Sequence, residues 1–135
     1  MISVLFLVVP VLGCAQFAPR ERALRPASAE GGVRFSFYAP TATRVQLGGN
    51  WPENNWAQGD GDAGVADIGL MSDGEKDGIW EIVVPLGPGR YQYLFQVDEN
   101  TWHLDPGNPE EVLGGPTGTS SQIVVFLRDQ SLEVR

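Results

Sequence analysis

An all-β sandwich of about seven strands is what the sequence predicts: from Val33 onward apolar residues alternate, Gly or Pro stands at nearly every break, and no stretch carries a helical period. Alternation has a period of two, the side-chain repeat of a strand with one buried face. The breaks draw on a large supply, 17 Gly and 10 Pro among 135 residues, well above average use. Each antiparallel reversal needs a positive or preset φ, and these residues supply it.

In chain order, Ile2 to Gly13 is almost wholly apolar. Its length falls short of the ~20 residues of a membrane-crossing helix and suits the apolar core of a secretory signal. Val11-Leu12-Gly13-Cys14 resembles a bacterial lipobox, which implies a signal peptide over 1–13, cleavage before the cysteine, and a lipid on the Cys14 thiol. Met1-Ile2-Ser3 lacks the basic residue usual there. Ala15 after the cysteine implies, by the same resemblance, the outer membrane or its periplasmic face within the cell envelope. The membrane is then reached only through the lipid anchor. Residues 14–31, with Arg20, Arg22 and Arg25, two prolines and small residues, read as a flexible tether.

The sandwich is expected over 32–128, followed by a C-terminal tail over 129–135. Val33, Phe35 and Phe37 share one face of the first strand, and Val45 and Leu47 one face of the next. Ile79 to Val84 is apolar at five of six positions, the pattern of a strand covered on both faces or of a central strand. Tyr91, Tyr93, Phe95 and Val97 alternate with Gln92, Leu94, Gln96 and Asp98. Trp102 to Leu104 reads as a short return strand and Ile123 to Leu127 as the last. Two connections exceed what a turn needs, Asn50 to Gly69 and Asp105 to Ser120, and long loops in compact domains tend to carry function.

Composition excludes several classes. Nine Lys and Arg against 17 Asp and Glu give a net charge of −8 and a pI near 4.4, which repels a phosphate backbone, so no nucleic-acid partner is expected. One cysteine and one histidine build neither an internal disulfide nor a zinc site of usual spacing. No cofactor motif is present.

The strand from Tyr91 to Val97 carries the functional inference. With its tyrosines and Phe95 directed into the core, Leu94 faces outward between Gln92 and Gln96. An apolar residue flanked by amides suits a sugar, whose C–H faces pack on apolar and aromatic surfaces while its hydroxyls take hydrogen bonds. Trp56 and Trp102 sit beside polar loop residues and are candidate stacking rings, although a tryptophan in such a place serves core packing as well.

The ordered set Gly49-Asn50-Trp51, Asn54-Asn55-Trp56, Asp77-Gly78-Ile79-Trp80-Glu81, Pro88-Gly89-Arg90-Tyr91-Gln92-Tyr93, Val97-Asp98, Trp102 and Asp105-Pro106 resembles carbohydrate-binding module family 48. That family includes the glycogen-binding domain of the AMP-activated protein kinase β subunit and the N-terminal domains of isoamylase and branching enzymes. The resemblance covers about residues 32 to 127 and implies an immunoglobulin-like, early-set β-sandwich. It also implies a non-catalytic α-glucan-binding module, with Trp56 and Trp102 as the stacking tryptophans and Thr119 as a hydroxyl that bonds sugar. Leu94 stands where glycogen-binding members have lysine, Ser121 where they have asparagine, and Thr117 roughly where they have leucine. Leu94 would then act as an apolar floor in place of a cation. Some family members serve as structural domains, so the alternative is an early-set domain that has lost glycan binding and contacts an envelope protein partner.

Other patterns carry less. Asp73-Gly74-Glu75-Lys76-Asp77-Gly78 has the opening of a calcium loop, but Val84 occupies the twelfth position, which requires Glu. His103 has no nucleophile motif beside it, and no enzymatic activity is expected.

Overall fold

The computed structural model describes residues 24–59, 67–99 and 101–135. The signal peptide expected over 1–13, the lipidation expected at Cys14 and the start of the tether lie outside these residues.

The described residues form nine strands: β1 (Ala27–Ala29), β2 (Gly32–Tyr38), β3 (Val45–Gly49), β4 (Ile79–Val84), β5 (Gly89–Val97), β6 (Thr101–His103), β7 (Glu111–Leu113), β8 (Thr119–Arg128) and β9 (Ser131–Val134). All pairings are antiparallel. One sheet has the order β1-β2-β4; the other runs β3-β5-β8-β7, with β6 added beside β5 and β9 beside β8. The two sheets form the expected β-sandwich around a core in which Val33, Phe35 and Phe37 of β2 meet Val45, Leu47, Tyr93, Phe95, Ile123 and Val125. Phe37 and Phe95 stack at 4.6 Å between ring centroids, and Phe35 meets Tyr93 edge-on at 4.9 Å.

Alternation predicted β2, β3 and β5 well. Tyr91, Tyr93, Phe95 and Val97 all join or pack on the core. Ile79 to Val84, by contrast, is neither covered on both faces nor central: Val83 is exposed, and β4 borders only β2 within its sheet.

Two further differences lie at the ends. The span read as tether closes with β1, whose Ala27, Ser28 and Ala29 pair with Arg34, Val33 and Gly32, and Leu24 just before it is buried. Three small residues give no alternation to read. The span read as a tail contains β9, which pairs with β8 and packs Leu132 and Val134 against the core. Its reversal uses Asp129 and Gln130, with φ of 49° and 66°, the conformation that hairpin turns usually assign to Asn or Gly. Asp129 suits such a turn, but Gln130 stands where Gly is usual, so the sequence signal was incomplete.

Candidate functional site

The candidate site lies on the outer face of the larger sheet. Pleating puts Gln92, Leu94 and Gln96 of β5 on the side away from the core. Across the ladders, Gln96 stands beside Gln46 and Trp102, Leu94 beside Gly48, and Gln92 beside Gln122.

Trp102 reaches across this face. Its Cα belongs to β6, on one edge of β5, while β3 occupies the other edge at the same level. A methyl group placed on Gly48 of β3 would fall 2.6 Å from ring carbon Cζ3 of Trp102 and 2.7 Å from Cη2. The indole therefore crosses over β5 and seats on the bare backbone of Gly48. Leu94, the partner of Gly48, lies under that crossing. Leu94 is only 1% exposed although it is not part of the core cluster, and the ring above it accounts for the burial.

Trp56 arrives at the same place from the long loop after β3. Its backbone carbonyl carbon would lie 3.4 Å from a methyl on Gly48, and its ring rests against Gly115 at the tip of the hairpin between β7 and β8. The loop is locked by Asn54, which is buried. Gly49 N–H and Ala57 N–H donate to its Oδ1 at 2.7 and 2.8 Å, and its Nδ2 donates to the Leu47 carbonyl at 2.8 Å. Trp56 N–H donates to the Gly49 carbonyl at 2.8 Å. Inside this clamp Asn55, Trp56 and Ala57 all have positive φ, 45°, 57° and 62°. Three successive non-glycine residues in that region cost conformational energy that the clamp must offset, and such strain gathers at binding sites.

The tryptophans thus divide into two pairs. Trp51 is buried against Phe35 and Tyr91, and Trp80 donates its indole N–H to the Ala39 carbonyl at 3.0 Å. Trp56 and Trp102 remain half-buried on one face, and among the described residues neither indole N–H has a hydrogen-bond partner.

Gln92 and Gln96 flank the platform and are half-buried. Ser120 donates to Gln92 Oε1 at 3.3 Å, and Gln96 Nε2 donates to the Glu99 carbonyl at 3.3 Å. Leu94 does not stand open between them as the sequence reading expected; it supports Trp102 from below.

Ser121 is not brought to this face. Register pairs it with Tyr93, so it points inward, is 0% exposed, and accepts from Asp105 N–H at 2.9 Å. Thr119 pairs with Leu113 and shares Ser121's side of β8, turned away from Gln92. The side chain on the outer face at this level is Ser120. The family resemblance pointed to Ser121 and not to Ser120, and the parity that separates the two is set by pairing with β5.

Beneath the site the Asp-Pro motif acts as an anchor. Tyr93 O–H donates to Asp105 Oδ2 at 2.6 Å, Asn108 Nδ2 donates to Tyr93 Oη at 3.0 Å, and Gly107 N–H donates to Asp105 Oδ1 at 2.8 Å. Burial pushes the Asp105 carboxyl above its ordinary range, opposed by the bonds from Tyr93 and Gly107. Burial, the Asp105 charge and the bond to it raise the Tyr93 phenol. The network ties the loop after β6 to β5 and β8, and so holds Trp102 in place.

Among the described residues no group of three or more His, Cys, Asp or Glu is arranged to hold a metal, and no helix is long and apolar enough to cross a membrane. Compared with known families, residues 23–110 match the model described as carbohydrate-binding module 48 (isoamylase N-terminal domain). That span includes Trp56 and Trp102 and ends before β7 and β8. No curated protein matches the chain.

Proposed function

The chain belongs to the carbohydrate-binding module 48 family, a non-catalytic carbohydrate-binding family, and from that premise we propose that it binds an α-glucan of the glycogen or starch type on Trp56 and Trp102. One observation carries the reading: two half-buried tryptophans from separate elements come together on one sheet face, the Trp102 ring seated on Gly48 and the Trp56 backbone passing beside it with its ring on Gly115. Pyranose C–H faces pack on such rings, and Gln92 and Gln96 offer amide donors and acceptors for hydroxyls at their edge. With Leu94 in place of a cation, binding at the indoles relies on stacking and neutral hydrogen bonds, so a short sugar held there should bind weakly and without dependence on salt.

Retention on glycogen or amylose beads tests this, with wild type compared with Trp102→Ala. Wild type is retained and the variant is lost; a wild type that passes through unretained sinks the reading. In that case the exposed Leu113, at 87% the most open large apolar side chain described, favours the second reading, a protein-interaction domain with an envelope partner.

We also propose that Cys14 carries a lipid that displays the module at the cell envelope, on the outer membrane or its periplasmic face. The Val11-Leu12-Gly13-Cys14 run supports this, and two or more acyl chains suffice for stable anchoring. Metabolic labelling with an alkyne fatty acid should mark the wild type and not Cys14→Ser; equal labelling would refute it.

A further inference from the structure

The outer face of the larger sheet continues past the indoles. Arg90 lies on the same side of β5 as Gln92, Leu94 and Gln96, and its partner across the ladder is Val124, next in line to the Gln92–Gln122 pair. Arg135 extends the Arg90–Val124 row, donating its N–H to the Val124 carbonyl at 3.0 Å and accepting from Val124 N–H at 2.8 Å. Glu110 extends the Gln92–Gln122 row, its carbonyl accepting from Gln122 N–H at 2.9 Å. Arg90, Glu110, Gln122, Val124 and Arg135 line a cleft of about 350 Å³, within the span of about 300 to 1,000 Å³ common for small-molecule sites.

The chemistry of this lining selects its ligand. Two guanidiniums supply donors, Glu110 supplies acceptors, and Gln122 supplies both. Among the described residues, neither Arg90 nor Glu110 is spent in an ion pair. The Arg135 guanidinium lies over the Phe126 ring at 5.5 Å, which restrains it without consuming its donors in a charge pair. An anionic group would meet Glu110, a cation would meet two arginines, and an apolar ligand would bury all of them unpaired at a cost. A neutral molecule rich in hydroxyls, each both donor and acceptor, satisfies the whole set.

We propose that this cleft is a second sugar subsite, continuous with the indole platform, so that one longer α-glucan chain occupies both. This rests on the glucan reading above. Four residues separate Leu94 from Arg90, about 13 Å along a strand, a distance of several glycosyl units. A disaccharide on the indoles stops short of the cleft, whereas a long oligosaccharide enters it.

NMR titration of the full chain with maltose and with maltoheptaose tests the proposal. Wild type should bind maltoheptaose at least about tenfold more tightly than maltose, the scale of one or two charge-assisted hydrogen bonds. Arg90→Ala and Gln122→Ala should each remove most of that gain and leave maltose affinity unchanged, with the backbone spectrum otherwise intact. The Arg90 Nε–H and Gln122 side-chain signals should shift with maltoheptaose and not with maltose. A length gain that survives in Arg90→Ala, or no length gain in wild type, overturns the subsite while leaving the indole platform standing. Binding of neither sugar by wild type overturns the glucan reading itself, and the subsite with it.

Discussion

Trp102 is seated on Gly48: the indole of one edge strand crosses β5 and rests where its neighbour strand has no side chain, with the nearest ring carbon 2.6 Å from where a methyl would stand. Real Cβ atoms are not found that close, so a side chain at this position must displace the ring. Gly48→Ala should therefore push Trp102 off its seat while leaving the β3–β5 ladder paired. We expect retention on amylose to fall nearly as far as in Trp102→Ala, a loss of about 1 to 2 kcal/mol if stacking dominates. Unaltered retention, with unchanged tryptophan fluorescence, would show that the ring does not need this seat.

Leu94 supports the same ring from below, and its truncation separates support from contact. At 1% exposure it offers a ligand almost no surface, so Leu94→Ala leaves a cavity under Trp102 in place of removing a sugar contact. The expected cost is about 2 to 3 kcal/mol of stability in urea denaturation, with weaker binding as a secondary effect of a looser indole. Leu94→Met, which preserves volume, should restore most of both. Loss of binding in a fully stable Leu94→Ala would instead mark Leu94 as a direct contact.

Residues whose role depends on one strand were legible in the sequence, and those whose role depends on how strands or loops meet were not. Alternation assigned Tyr91, Tyr93, Phe95 and Val97 to the core because pleating alone determines it. It also assigned Leu94 to the opposite face, yet Trp102, eight positions away, decides whether that face is open there. Ser120 and Ser121 are neighbours at the start of β8, after a connection of unusual length, and only the pairing of Ser121 with Tyr93 decides which of them faces outward. Nothing in the sequence marks Gly48 as the seat of a ring, because that ring belongs to Trp102, far along the chain. Asn54 was visible as part of a motif, but its three bonds involve backbone groups, which sequence does not display.

Asn54 should be the most sensitive position in the loop that carries Trp56. Asn54→Ala leaves Gly49 N–H, Ala57 N–H and the Leu47 carbonyl without their partner in a buried setting, and removes the clamp on three residues of positive φ. The expected cost is about 2 to 4 kcal/mol of stability, accompanied by loss of glucan retention because Trp56 no longer meets the hairpin tip. Asn54→Asp keeps the acceptor for both N–H groups and loses only the donor to Leu47, so it should fall between. If Asn54→Ala matches wild type in denaturation midpoint, the clamp contributes little and the strained turn is held by other contacts.

The buried Asp105 carboxyl gives the fold a component of stability that grows in mild acid. Its pKa is raised in the folded state, chiefly by burial, above the ordinary value of about 3.9. Between those two values the folded chain binds more protons than the unfolded chain, so this group's contribution is full below the ordinary value and is lost as pH rises through the folded value. Asp98 acts in the opposite sense: backbone and side-chain bonds from Thr43 and the N–H of Arg44 lower its pKa, and its contribution is lost as pH falls. The whole protein therefore mixes both signs, and the Asp105 component is isolated by difference. Asp105→Asn retains one acceptor for Tyr93 or Gly107 and removes the titration, so the gap, taken as wild-type stability minus variant stability, should rise as pH drops from 7 toward 4 whatever its sign at pH 7. Urea midpoints at unit pH steps measure that gap. A signed gap that falls on acidification would mean that the Tyr93 and Gly107 bonds outweigh burial and that the Asp105 carboxyl titrates below its ordinary value in the folded chain.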